Sequence, residues 1–209
     1  MSNQIDNTQD VIGSKKMSDN YKTEELTLPS GNCFKVTFSY DDYESPWEAE
    51  DGHGDVSEWT RRDKKPGEVI LCQDRNSKRY YDMQGAIQKA KAEGWCCDSV
   101  LPTDTRGQKA VKAAQADFEY LKAWCNNEWW YCCLHVVMLD KNGEKLQGYD
   151  DYLGMVEDGY TTKSHGYALE CAQDIATGIE RSYLSDINTA LISELHRVHN
   201  HALFEVGII

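Results

Sequence analysis

The chain is predicted to be α+β: antiparallel strands with helices packed on one side, in the order β-β-β-α-α-β-β-α-α. Three observations predict it. Cys33–Tyr40 alternates, with Phe34, Val36 and Phe38 on one face, as a half-buried strand does. The stretch from Arg106 to Cys125 carries Val111, Ala114, Phe118, Leu121 and Cys125 at spacings of three and four, an apolar helical stripe. Trp129–Leu139 is apolar on both faces and leads into Asn142-Gly143, which reads as a covered central strand followed by a tight hairpin turn.

Taken in order, residues 1–25 are polar and without periodicity, and read as a mobile leader ahead of a single domain over 26–209. Sub-lobes over 26–100 and 106–209 are compatible with that organisation. The first strand is entered through Pro29-Ser-Gly31. A hairpin follows at Glu68–Gln73 and Lys78–Asp82, with Asp74-Arg-Asn-Ser77 as turn chemistry. Asp82 is placed to cap a short helix, Met83–Glu93, with Ala86, Ile87 and Ala90 inward and Gly94 as its stop. Beyond the central strand, residues 145–156 return as an outer, more polar strand. Ser164 and Ser185 are placed to cap two final helices. Ala168, Ala172, Ile175, Ile179 and Tyr183 face inward on the first, and Ile187, Leu191, Leu195, Val198 and Ala202 on the second.

With 209 residues and 40% hydrophobic content, the chain can fill one core of ordinary size. Its formal net charge of −13 disfavours bare nucleic acid and anionic lipid, both of which need a positive face, and favours a basic partner. Eight cysteines include no Cys-x-x-Cys, and most lie in apolar stretches, where a free thiol behaves as a small hydrophobe. The N-terminal stretch lacks the apolar run of a secretion signal, and no stretch is long and apolar enough to span a membrane. Reduced thiols in a cytoplasm fit this pattern.

The charge is concentrated. From Asp41 to Glu58 there are eight carboxylates and no Lys or Arg, and Arg61, Arg62, Lys64 and Lys65 follow at once. Trp47 and Trp59 flank the middle of this stretch and Gly52-His-Gly54 sits at its centre, a composition unlike plain disorder. If extended, alternate carboxylates lie about 6.5–7 Å apart, close to phosphate spacing along a nucleic acid strand. The candidate partner-binding residues are therefore Tyr43, Glu44, Trp47, Glu48, Glu50, Asp51, His53, Asp55, Glu58 and Trp59. The bland alternative is a solvated loop tied down by Arg61 and Arg62. A second functional reading uses His53 with Glu48, Asp51, Asp55 and Asp63 as a divalent-metal or hydrolytic centre, but the spacing matches no metal motif.

Other candidates carry less. Cys133 and His135 share one strand face, too far apart at i, i+2 for a hydrogen-bonded dyad. His196 and His199 stand one turn apart, with a solvated helix end as the simpler account. Asp140–Glu144 reads as a turn rather than a calcium loop. No catalytic residue, metal or cofactor is assigned.

Ser45-Pro-Trp-Glu-Ala-Glu-Asp-Gly-His-Gly-Asp-Val-Ser-Glu-Trp-Thr-Arg-Arg-Asp-Lys-Lys-Pro-Gly-Glu68 resembles a family of uncharacterised proteins carried by tailed bacteriophages and prophages. Arg79-Tyr-Tyr-Asp82, Gly94-Trp95, Thr105–Ala110 and Asp117–Glu128 fit it too, so the resemblance covers roughly residues 33–160. It brings no activity, fold or catalytic residue. It implies a phage product working in a bacterial cytoplasm. By analogy, this is an acidic inhibitor that occupies a basic surface on a host nuclease, restriction system or CRISPR effector. A metal-dependent hydrolase or a structural or regulatory phage protein is the alternative, and a homodimer is left open.

Overall fold

The computed structural model describes residues 20–41, 45–159 and 162–205, with side chains described throughout these except at 162–164 and 203. The architecture is α+β. A four-stranded sheet has the order β1-β2-β5-β6, and a separate two-stranded sheet pairs β3 with β4. The strands are β1 (Asn20–Thr27), β2 (Cys33–Tyr40), β3 (Glu68–Asp74), β4 (Ser77–Asp82), β5 (Trp129–Leu139) and β6 (Lys145–Gly159). The helices are α1 (Pro46–Ala49), α2 (Met83–Glu93), α3 (Arg106–Cys125) and α4 (Thr162–Glu205). Contacts group the chain into two compact units interleaved in sequence. One holds residues up to 42 with 131–157 and 165–209, and the other holds 43–130 with 158–164.

In the first unit, β2 pairs with β1 and β5, both antiparallel. The β2–β5 register sets Phe34 opposite Met138, Val36 opposite Val136 and Phe38 opposite Leu134. All six are buried. α4 lies over this sheet with Ala168, Ala172 and Ala176 fully buried, because a side chain no larger than a methyl lets a helix approach closely. Asn32 Nδ2 donates to Glu180 Oε1 at 2.6 Å, and the His165 ring sits 5.5 Å from that of Phe38.

Two expectations are corrected here. The polar leader to residue 25 ends earlier, since β1 begins at Asn20; residues 1–19 lie outside the described residues. β1 was missed because it pairs on one side only, and an edge strand can be as polar as Lys-Thr-Glu-Glu. Tyr21, whose ring lies tilted 4.5 Å from that of Tyr40, is its apolar foothold. The two terminal helices are one, running unbroken through Ser185. Leu191, Leu195 and Val198, expected inward, are 62%, 67% and 53% exposed.

The second unit is built on the β3–β4 hairpin with α2 and α3. Its core is Leu71, Tyr81, Ala86, Ala114, Phe118 and Leu121, extended by Ala90, Ala110 and Ala113 where the two helices meet. α2 starts where Asp82 accepts from the Gly85 N–H at 2.9 Å and stops at Gly94, whose φ of 77° is the left-handed cap that glycine favours. α3 starts with a capping box between Thr105 and Gln108. Val111, expected on the inner stripe, is half exposed; Ala110 and Ala113 take the face against α2. None of the eight cysteines forms a disulfide; Cys132 is buried and Cys33 and Cys96 are exposed.

Candidate functional site

The acidic stretch is ordered within the second unit. Ser45 and Pro46 open α1, a single turn, and Pro46 supplies the fixed φ that a first helical residue accepts. After a turn at Gly52 (φ 102°), residues 55–60 run antiparallel along β4. The Asp82 N–H donates to the Asp55 carbonyl at 2.9 Å, Ser57 N–H to Tyr80 O at 2.8 Å, and Thr60 and Lys78 exchange bonds at 2.9 and 2.8 Å. The extended row of carboxylates is therefore not formed.

Instead, Trp47, Glu48, Glu50, Asp51, His53, Asp55 and Glu58 line one cleft of about 500 Å³, joined by Gly52, Gly54, Val56 and Lys89. All five carboxylate residues are exposed. Trp59 is not among the lining residues. Its ring lies 5.3 Å from the Arg79 guanidinium, whose distance to Trp47 is 5.2 Å, so one cation sits against both tryptophans. Trp47 also meets Trp124 edge-on at 5.3 Å. Tyr43 and Glu44 lie outside the described residues.

The floor of the cleft is held by Asp117, which α3 contributes. His53 Nδ1 lies 2.5 Å from Asp117 Oδ1, the Gly54 N–H donates to Oδ2 at 2.8 Å, and the Tyr81 hydroxyl donates to Oδ2 at 2.6 Å. The His53 ring stacks on Tyr120 at 5.6 Å with a 10° interplanar angle, and Lys89 Nζ donates to the His53 carbonyl at 2.9 Å. A carboxylate only accepts, so the Nδ1 proton belongs to this bond. Nε2 is buried and meets no hydrogen-bond partner among the described residues. The pair thus fixes the loop without presenting the imidazole to a nucleophile. Burial, with the Asp117 carboxylate beside it, pushes the Tyr81 phenol far above its ordinary value, so it stays a donor at any working pH.

Arg62 leaves the loop by pairing with Glu68, which lies beyond it. Its two terminal nitrogens meet Glu68 Oε2 and Oε1 at 2.7 and 2.6 Å, and its guanidinium lies 4.7 Å from the Tyr80 ring. Arg62, with the Lys65 N–H adding to it, holds the Glu68 carboxyl at about 2. A depressed carboxyl contributes stability above its unfolded value of 4.5 and loses it as pH falls through about 2. Glu68→Gln is therefore expected to melt below wild type at neutral pH, with the gap closing as pH falls between those values. A pH-independent gap in thermal unfolding would contradict this assignment.

Elsewhere, His135 Nε2 meets Asp150 at 2.9 Å and its ring stacks on Tyr152, while Asp140 accepts from the Asn142 and Glu144 N–H groups as a turn residue. No three His, Cys, Asp or Glu side chains converge in a metal-binding arrangement among the described residues. Among those residues, no helix is long and apolar enough to cross a membrane. Sequence reasoning missed Asp117, Tyr81, Arg79 and Lys89. Asp117 had a legible signal: it lies three residues after Ala114 and four before Leu121, a carboxylate placed against the apolar stripe of α3. Comparison with protein-family models, curated proteins and solved structures finds no match for this chain.

Proposed function

We propose that the second unit is a binding module whose acidic cleft receives a cationic segment of a partner protein. The observation that carries this reading is the cleft itself. Five exposed carboxylates surround a space of about 500 Å³ beside Trp47, on a backbone tied from below by Asp117. Such a cavity offers charge for steering, an aromatic face as anchor, and little ordering cost on binding. Carboxylates gathered round a cleft suit one or two Lys or Arg side chains better than a linear phosphate mimic does. With the phage-like motif in the same stretch, the partner class is a basic host nuclease or defence effector in a bacterial cytoplasm. The effect of binding is inhibition.

The test is capture from host lysate at low and at high salt, repeated with a Trp47→Ala, Glu48→Lys, Glu50→Lys variant. A basic protein held stoichiometrically at low salt and released at high salt is expected. The triple variant should weaken that complex by about 100-fold or more, because an anchor is lost and two charges are reversed. Undiminished binding by the variant would remove the cleft as the site.

A further inference from the structure

The distal part of α4 exposes large apolar side chains that the acidic cleft does not use. The last described contacts between α4 and the sheet of its own unit are made near Tyr183 and Asp186, where Tyr149 packs edge-on at 5.1 Å and its hydroxyl donates at 3.0 Å. From Asn188 to Glu205 every described side chain is exposed. A lone projecting helix of about 20 residues is marginal in water. One that also exposes large apolar groups is worse placed still.

Those groups are not scattered. Leu184, Leu191 and Val198 recur every seven residues, and so do Asn188, Leu195 and Ala202. Alternating spacings of four and three between the two sets draw a single seam, with the leucine set at d and the Asn188 set at a. Leu184, Leu191, Leu195 and Val198 are 47–67% exposed along it. The flanking g and e positions are Ile187 with Ile192, and Glu194 with His199. Phe204, 71% exposed, lies off the seam and is not explained by it.

We propose that residues 184–205 of α4 pair in parallel with the same segment of a second copy of this chain, as a short two-stranded coiled coil. In that arrangement a g residue meets the e residue five positions on in its neighbour, which sets the Glu194 carboxylate beside the His199 ring as a hydrogen-bond acceptor and packs Ile187 against Ile192. Glu194 is held by Arg197 on its own helix at 2.6 Å, an exposed pair that costs little to rearrange. Asn188 at an a position pairs with its counterpart only when the helices are parallel and in register, the known role of a lone buried asparagine in such seams. Three heptads bury on the order of 1,000 Å², enough for a weak, concentration-dependent dimer.

The experiment is sedimentation of the full chain across a wide concentration range. It is compared with Leu191→Glu plus Leu195→Glu, and with Val198→Cys under mild oxidation. Wild type is expected to pass from monomer to dimer, and the double variant to weaken the dimer by at least about 100-fold. Because both leucines are exposed, the double variant keeps its thermal unfolding, which shows that its fold is intact. With the exposed Cys33 and Cys96 replaced by serine in both chains, Val198→Cys is expected to give a covalent dimer on a non-reducing gel that the parent does not give, since d positions face each other only in a parallel pair. A chain that stays monomeric throughout, or a dimer indifferent to the double variant, overturns the interface. A dimer sensitive to it but not cross-linked through position 198 overturns the parallel arrangement.

Discussion

Asp117→Ala is expected to destabilise the second unit by about 3–5 kcal/mol. The carboxylate accepts from three donors: the His53 ring, the Gly54 N–H and the Tyr81 hydroxyl. Removing it strands all three in a setting where Gly54 and Tyr81 are buried and the His53 side chain is 13% exposed. Each orphaned buried donor costs about 1–3 kcal/mol. The phenol recovers part of its loss through the Ala114 carbonyl, 3.3 Å away, which keeps the total below a simple sum. Asp117→Asn retains one accepting oxygen and should cost about half as much. Denaturant unfolding followed by tryptophan fluorescence reads both, since Trp47 and Trp59 sit in this unit. A loss under about 1 kcal/mol for alanine would mean that Asp117 does not organise the cleft. Amide exchange across residues 48–58 should rise in parallel, because the Gly54 N–H is tied to that carboxylate.

Gly54→Ala is expected to cost about 2–3 kcal/mol for a different reason. The φ of Gly54 is not in the left-handed region; the constraint is space. A Cβ there would stand 2.6 Å from the Tyr81 ring carbon Cζ and hydroxyl and 2.7 Å from the Ala86 Cβ. Tyr81 is fully buried and Ala86 is 1% exposed, so neither is the loose end of a mobile side chain. Relief by moving Tyr81 would lengthen its 2.6 Å bond to Asp117 and couple this defect to the first one. The same unfolding measurement checks it. A variant as stable as wild type would show that the loop can lift off the hairpin without cost.

Much of this architecture is readable from the chain because its signals are local. Asp82 and Gly94 bound α2 at both ends, and an N-cap and a left-handed glycine act within a few residues of themselves. The apolar run at 129–139 and the Asn142-Gly143 turn determined a central strand and its return, again without reference to distant residues. The acidic stretch was legible as the candidate site, and its tryptophans argued for order.

Tertiary structure alone decided how that stretch is held. His53 finds its partner 64 residues away, and no local pattern joins the two; only packing of α3 beneath the loop brings them together. The helical turn of α1 and the turn at Gly52 then set the exposed carboxylates around a cleft, where an extended chain would have spaced them in a row. β1 is a strand because β2 offered a free edge, since its own sequence carries little alternation. At the other end, Ser185 carries a cap residue's chemistry but sits inside one long helix, because nothing at that point stops the preceding turn from continuing. Periodicity placed Leu191, Leu195 and Val198 on one stripe beyond it, but the inward direction expected for that stripe is not what the structure has. Which way a stripe faces is a question of what stands opposite, and a single chain's sequence does not contain that answer.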